Sequence, residues 1–179
     1  RLGERLELVR SASIERVGRD GDDYVVDVST PDGARTVRAD RLLVATGRVP
    51  NGAQLDVEAT GVRLDADGYV VCDDTLSTGV DGIWVLGDAR SNLQLKHVAN
   101  RDARVIQHNL RHPDDLRRID ERFVPHAVFT NPQVAAVGLT EEQARGRGRP
   151  FATATIEYGH TAYGWAMEDT TSLCKVIAD

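Results

Sequence analysis

The chain has 179 residues, of which 41% are hydrophobic and 28% charged, and its formal net charge is −6. This composition is typical of a globular protein rather than a disordered one. No apolar run approaches the roughly 18 residues that span a bilayer, and the first residues lack the apolar core of a signal peptide. An acidic chain without a basic cluster is also unlike a nucleic-acid-binding domain. We therefore expect no membrane span, no secretion signal and no nucleic-acid partner.

The cysteine content is low and its spacing is uninformative for metal or redox chemistry. Cys72 and Cys174 are the only cysteines, and they form neither a CxxC nor a CxxxxC pair. No basic cluster or histidine accompanies either thiol in the sequence, so we expect both to pack in a core within a reducing, cytoplasmic setting. Because the sequence starts with Arg1 and stops within the alternating run at 172–177, we expect an internal fragment of a longer protein.

The first third of the chain is rich in predicted strands. A strand from about Leu6 is compatible with the mixed alternation of residues 4–17. Residues 24–28 and 35–38 flank a turn containing Pro31 and Gly33, which predicts a hairpin. The apolar run at 41–45, which ends at Thr46 and Gly47, predicts a strand at a buried sheet centre.

The middle third predicts two short strands, at 68–71 and 82–86, followed by a helix. Apolar residues recur at helical spacing over 97–110, and the pair His112-Pro113 stops the pattern. The predicted buried face of this helix consists of Val98, Ala99, Val105, Ile106 and Leu110.

The last third predicts strands at 127–129, 133–139, 151–156 and 172–177. Between them, Thr140 and Gln143 have the spacing of a capping box, in which each residue satisfies a backbone N–H of the other, so a short helix should begin there. The chain as a whole therefore reads as a mixed α/β protein.

Two apparent metal sites are better explained as ordinary structure. Asp65-Ala66-Asp67-Gly68 resembles a calcium loop, but its glycine is misplaced for an EF-hand and a closing Glu is missing, which favours a solvated turn. His108 and His112 would share a helix face but lack the Glu of the zinc-protease motif, which favours solvent-facing histidines.

The strongest functional signal is the apolar strand 83–86 followed by Gly87 and Asp88. In open α/β sheets ligands bind at the carboxyl ends of strands. A glycine lets a ligand approach the backbone, and a carboxylate accepts hydrogen bonds from sugar-like hydroxyls. Taken alone, the same residues could equally form a turn and a helix cap.

Four blocks together carry a family resemblance: residues 45–51, 83–88, 95–99 and 124–141. In this order they resemble the flavin-dependent pyridine nucleotide-disulfide oxidoreductases. Residues 94–100, 107–110 and 162–169 most resemble the mycothione-reducing branch, and the dihydrolipoamide-dehydrogenase and mercuric-reductase branches are the alternatives. The resemblance implies an α/β fold with partial FAD- and NAD(P)-binding Rossmann-like domains and the start of an α+β dimerisation domain.

The resemblance also implies boundaries and site residues. Residues 1–46 would end the NAD(P)-binding domain, 47–120 would form the central part of the FAD-binding domain, and 121–179 would begin the dimerisation domain. The implied cofactor-binding residues are Gly47, Gly87, Asp88, Gln94, Leu95, Lys96 and His97. Catalytic residues are not expected here, because the redox cysteine pair and the His-Glu pair of the family have no counterpart in this sequence.

Each implied residue has a distinct role toward the cofactors. Asp88 would accept a hydrogen bond from a ribityl hydroxyl of FAD, and Gly87 would give clearance. Lys96 and His97 would open a helix whose N-terminus faces the pyrimidine edge of the flavin, with His97 positioning rather than exchanging protons. Gly47 would approach the nicotinamide nucleotide, and Arg48 would contact a phosphate or carboxylate or form a structural ion pair.

The implied function is a step in a redox chain. Electrons would pass from NADPH, or NADH, to FAD, then to an active-site disulfide and a low-molecular-weight disulfide substrate, in a homodimer. The alternative is a non-catalytic remnant that only binds a nucleotide or dimerises. Authentic start and stop codons flanking this stretch would favour that alternative.

Overall fold

The computed structural model describes residues 6–178. They belong to two compact units, one ending at Arg48 and the other starting at Val49. Helices and strands occur together, as the sequence predicts for an α/β protein. None of the helices within residues 6–178 has the length and apolar character that a membrane crossing requires.

The first unit is a three-stranded antiparallel sheet. Its strands are β1 (Ser13–Asp20), β2 (Asp23–Thr30) and β3 (Gly33–Ala39), and β2 lies at the centre. The predicted hairpin is confirmed as β2 paired with β3. The prediction of a strand from Leu6 was wrong: β1 begins after Ser11, whose positive φ of 52° turns the chain before the ladder starts.

Residues 41–45 do not form the predicted buried strand. They have no regular secondary structure, and the side chains of Leu43 and Val44 are 88% and 72% exposed. A strand needs a neighbour that takes up its backbone hydrogen bonds. Within the described part of the chain no strand pairs with this segment, so its apolar composition alone does not create one.

The predicted strands at 68–71 and 82–86 are also wrong, because each reduces to a single bridge. Val70 pairs with Leu64 and Trp84 with Ser77, while the neighbouring backbone groups bond to loops. Glycines with positive φ at 68, 79 and 82 bend the chain before a ladder can extend. The residues nevertheless form a small core, made of Val62, Val70 and Val85 with Cys72 packed against it.

The long helix α1 runs over Lys96–Arg111, close to its predicted bounds, and ends before Pro113. Its predicted buried face is only partly correct. Val98 and Val105 are buried, but Leu110 is 63% exposed. The other fully buried positions are polar, namely Asp102 and Asn109. These four residues form one stripe along the helix, because helical neighbours recur three and four positions apart.

The remaining strands and the helix that starts at the capping box follow the predicted order, whereas a further short helix at 162–166 was not predicted. The list is β4 (His126–Val128), β5 (Val134–Ala136), α2 (Glu141–Gly146), β6 (Ala152–Glu157), α3 (Ala162–Ala166) and β7 (Leu173–Ala178). β4 pairs with β5 and β6 with β7, both antiparallel. The capping box is confirmed: Gln143 N donates to Thr140 Oγ1 at 3.2 Å and Thr140 N to Gln143 Oε1 at 2.9 Å. Lys175 of β7 pairs with Glu141 of α2.

Candidate functional site

The centre of the candidate site is a short 3-10 turn at Gly87–Ala89. Gly87 is buried and has a φ of +64°, whereas the side chain of Asp88 is exposed. The left-handed backbone is readily accessible only to glycine. A Cβ at Gly87 would also lie 3.0 Å from the Cβ of Ala99 in α1. The turn and the helix therefore touch through a position where no side chain fits.

A buried carboxylate ties this turn to α1. Asp102 is 0% exposed, and its Oδ2 accepts a hydrogen bond from the Gly87 N–H at 3.0 Å. Arg90, which follows the turn, donates through Nε to Oδ2 at 2.7 Å and through Nη2 to Oδ1 at 2.9 Å. One carboxylate thus holds both ends of the turn.

The ion pair continues toward the following segment. Arg90 Nη2 also donates to Glu121 Oε1 at 2.9 Å. Burial works against the charged guanidinium, but hydrogen bonds from Arg90 to Asp102 and Glu121 outweigh it and raise the pKa of Arg90 above its usual value. Arg90 is therefore a permanent cation behind the turn.

The start of α1 lies a few residues after the turn. Leu95 is the N-cap and makes no side-chain cap bond, and Lys96 and His97 are exposed. Gln94 adopts a positive φ of 47°, and its Nε2 donates to the Tyr69 hydroxyl at 3.3 Å. A helix start without a side-chain cap leaves its first amides available to an anionic or polar ligand.

The predicted site residues do not all lie in one unit. Gly87, Asp88 and the residues at the start of α1 belong to the second unit, whereas Gly47 belongs to the first. Gly47 is exposed, has a φ of +100°, and a Cβ built on it would meet nothing within 4 Å. The need for glycine at position 47 is therefore explained by backbone conformation rather than by close packing.

The residues of the two apparent metal sites make ordinary structural contacts. Asp65 Oδ1 accepts hydrogen bonds from the N–H groups of Asp67 and Tyr69, which is a turn. Among residues 6–178, no group of three or more histidine, cysteine or acidic side chains is arranged to hold a metal. The expectation that both histidines face solvent was half wrong. His112 is exposed, but His108 is largely covered and its Nε2 lies 2.8 Å from the Asp115 carbonyl oxygen.

The two cysteines differ in environment. Cys72 packs against the small valine core as predicted, and burial raises the pKa of its thiol. The prediction of core packing was wrong for Cys174, which is exposed on β7. A strand residue whose sheet face is uncovered remains in solvent whatever its polarity. Neither thiol is disulfide-bonded.

Sequence analysis did not identify Asp102 and Arg90 as site residues. A usable signal was present, because Asp102 occupies a position on the same helix stripe as Val98 and Val105. A carboxylate on a buried helical stripe requires a cation and hydrogen-bond donors. Arg90, two residues after the Gly-Asp pair, was one cation to test as its partner.

Family models match nearly the whole chain. The pyridine nucleotide-disulphide oxidoreductase model matches residues 3–103, and the dimerisation domain model of the same family matches residues 124–179. The chain belongs to the pyridine nucleotide-disulphide oxidoreductase family. Members of this family are enzymes that use FAD and NAD(P)H.

Individual relatives indicate which branches of the family this chain resembles. Mycothione reductase from Mycobacterium tuberculosis is 49% identical over 152 residues, which cover 83% of this chain and 33% of that protein. Dihydrolipoyl dehydrogenase from Mycobacterium leprae is 32% identical, covering 97% of this chain and 37% of the relative. This chain therefore spans about a third of the length of these curated relatives.

Solved structures agree with the sequence relatives. LpdA from Mycobacterium tuberculosis superposes with a TM-score of 0.83 at 28% identity, covering 98% of this chain and 38% of that one. The Cu(II) complex of the flavoprotein disulfide reductase RclA from Escherichia coli gives a TM-score of 0.79 at 31% identity, covering 93% and 37%. The resemblance inferred from sequence motifs is thus confirmed.

Proposed function

We propose that this chain is part of an FAD-dependent NAD(P)H:disulfide reductase of the mycothione reductase type. The observation that carries the proposal is the Gly87-Asp88 turn, held against the start of α1 by Asp102. It offers an acceptor carboxylate and a helix start without a side-chain cap on one unit. The 49% identity to mycothione reductase supports a low-molecular-weight disulfide as substrate. Hereafter, the intact enzyme means this chain within a protein as long as those relatives.

The residues present fit a bound flavin nucleotide. The exposed Asp88 carboxylate can accept a hydrogen bond from a ribityl hydroxyl. Leu95, Lys96 and His97 begin a helix with no side-chain cap, whose positive dipole end favours the polar pyrimidine edge of a flavin. Gln94, held in an unusual backbone conformation, shapes the entry to that helix.

The chemistry would divide between the cofactor and the chain. Bound FAD supplies two-electron transfer between a nicotinamide and a disulfide. The residues of this chain bind and orient it: Asp88 holds the sugar-like chain, Gly87 gives clearance, and His97 positions the helix start rather than moving a proton. Gly47, with its exposed backbone, would contact the nicotinamide nucleotide, which is NADPH or NADH.

The same proposal assigns a domain to each part of the chain. Residues 1–46 would complete the NAD(P)-binding domain, 47–120 the central FAD-binding part, and 121–179 the start of the dimerisation domain. The family match of residues 124–179 to a dimerisation domain supports a homodimer. Two unpaired thiols, at Cys72 and Cys174, support a reducing, cytoplasmic location.

Replacing Asp88 tests the proposal directly. In the intact enzyme, Asp88→Ala should weaken FAD binding by about 10- to 150-fold, because a hydrogen bond to a charged acceptor contributes roughly 1.5–3 kcal/mol. The measurement is the Kd of FAD for flavin-stripped enzyme, from quenching of flavin fluorescence. Asp81→Ala is the matched control, since Asp81 is an exposed carboxylate in a neighbouring loop of the same unit. Equal affinity in the Asp88 variant and wild type would contradict the assignment.

The cysteines give a second test. Replacing Cys72 and Cys174 together by Ser should leave NADPH-dependent disulfide reduction within about twofold of wild type. The reason is that burial raises the pKa of the Cys72 thiol, and Cys174 lies on β7, far in sequence from the turn at Gly87. Steady-state turnover with an oxidised low-molecular-weight thiol measures this. Loss of turnover in a variant that still binds FAD would show that one of these thiols takes part in the reaction.

A further inference from the structure

We propose that Asp102 is a positioning residue of the flavin site, which sets the orientation of the Asp88 carboxylate by holding the backbone of the Gly87-Asp88 turn. This inference rests on the proposed function, because it concerns the same FAD-binding turn. Asp102 lies on α1 and does not itself face the exposed side of the turn, since its side chain is 0% exposed. It would therefore act only through the turn.

The contacts of Asp102 restrain the turn on both sides of Asp88. Its Oδ2 receives the Gly87 N–H at 3.0 Å, immediately before Asp88 in the chain. Both of its oxygens receive the guanidinium of Arg90 immediately after the turn, at 2.7 and 2.9 Å. Because both flanks of Asp88 are bonded to the same buried carboxylate, the direction in which Asp88 leaves the backbone is fixed relative to α1.

A second residue on the same helix shows that burial alone does not demand a carboxylate here. Asn109 is 2% exposed on the same stripe and holds a different segment with a neutral amide. Its Nδ2 donates to the carbonyl oxygens of Thr75 and Arg117, and its Oδ1 accepts from the Arg117 N–H. The side chain of Asp102 instead accepts from the Gly87 N–H and the Arg90 guanidinium, and an acceptor-only group satisfies these donors.

The charge of Asp102 is neutralised where it lies. Arg90 is 5% exposed and forms a bidentate pair with it, and Glu121 binds the outer side of the guanidinium. Such a pair gives geometric specificity as well as energy. Arg101 adds a second cation, because its Nη2 lies 3.8 Å from both Asp102 Oδ1 and Glu121 Oε1. The cluster therefore holds two cations and two carboxylates, and the carboxylate behind the turn does not oppose a polar or anionic group bound at the start of α1.

The test uses the isosteric variant Asp102→Asn in the intact enzyme, with flavin removed and restored. The Kd of FAD should rise by about tenfold, which is a loss of about 1.4 kcal/mol. In an Asp88→Ala background the same substitution should change the Kd by less than about threefold, since the group being positioned is gone. Hydrogen exchange of the Gly87 amide in the flavin-free enzyme should become faster, which reads out the turn without the cofactor.

Asn109→Ala is the matched control. It removes a buried hydrogen-bonding side chain from the same helix stripe, so it should lower the thermal unfolding temperature while leaving the Kd of FAD within about twofold of wild type. Arg90→Lys is a second probe, because it keeps the cation and loses the bidentate fork. It should weaken FAD binding in the same Asp88-dependent way, even if Asp102→Asn folds poorly.

The outcomes separate this inference from the proposed function. If Asp88→Ala weakens FAD binding but Asp102→Asn and Arg90→Lys do not, or if their effects multiply independently with that of Asp88→Ala, the positioning role is refuted and the flavin site stands. If Asp88→Ala itself has no effect, the proposed function of the turn fails and the positioning role fails with it. The positioning role is supported if Asp102→Asn raises the Kd of FAD in wild type but not in the Asp88→Ala background, while Asn109→Ala leaves the Kd unchanged.

Discussion

Asp102→Ala should lower the free energy of unfolding by about 3–5 kcal/mol, because it leaves the guanidinium of Arg90 buried without its main counter-ion. Arg90 is 5% exposed, and Glu121 is the acceptor that remains. The Gly87 N–H would lose its acceptor as well. Thermal and urea unfolding of the flavin-free intact enzyme measure the change, so that loss of cofactor binding does not contribute to it.

The control for this prediction removes both partners. In Asp102→Ala/Arg90→Met, no unpaired charge stays buried, and an apolar side chain of similar length fills the space, so much of the lost stability should return. Glu121 is then free to be hydrated, since its side chain is 39% exposed. A double variant as unstable as Asp102→Ala would mean that packing, and not the buried charge, determines the loss.

Local sequence signals predicted those elements that stabilise themselves. The hairpin of β2 and β3 follows from alternation around a turn, and α1 from helical spacing that ends near Pro113. The start of α2 follows from the capping box. In each case the residues that form the element also supply its hydrogen-bond partners, so a short window of sequence contains the cause.

The wrong predictions concern segments that depend on distant partners. Residues 41–45 and 82–86 have the composition of strands, but a strand exists only if a neighbour takes up its N–H and C=O groups. In the described chain, residues 82–86 contribute one bridge, between Ser77 and Trp84. Composition reports what a segment can bury, and it does not report which segment comes to lie beside it.

In the candidate site too, residues with a local sequence signal were predicted and a residue that depends on a distant contact was missed. Gly87 and Asp88 were predicted from their position after an apolar run, and the family resemblance named the residues at the start of α1. Asp102 was missed because its role depends on a contact between residues fifteen positions apart in sequence, the Gly87 N–H and its own carboxylate. Helical spacing predicted that Val98 and Val105 are buried, but only the fold shows that Asp102 lies on their stripe and what its carboxylate is paired with.

Gly87→Ala adds one carbon atom, yet it should lower both the free energy of unfolding and the affinity for FAD. A non-glycine residue in the left-handed region costs roughly 1–2 kcal/mol, and overpacking a filled site adds about 1–3 kcal/mol. Both apply here, since the φ of Gly87 is +64° and an added Cβ would lie 3.0 Å from the Cβ of Ala99. We expect the free energy of unfolding to fall by about 2–5 kcal/mol and FAD binding to weaken, because the turn must move away from α1.

Gly82→Ala separates the two contributions to the Gly87 effect. Gly82 has a φ of +72°, but a Cβ there meets nothing within 4 Å, so the variant should show only the backbone cost of roughly 1–2 kcal/mol and retain its affinity for FAD. The difference between the two variants measures the close approach of the turn to Ala99. Adding Ala99→Gly to Gly87→Ala relieves the contact and should recover part of the stability and of the FAD affinity. If Gly82→Ala were as harmful as Gly87→Ala to both quantities, the contact with α1 would not be what fixes the turn.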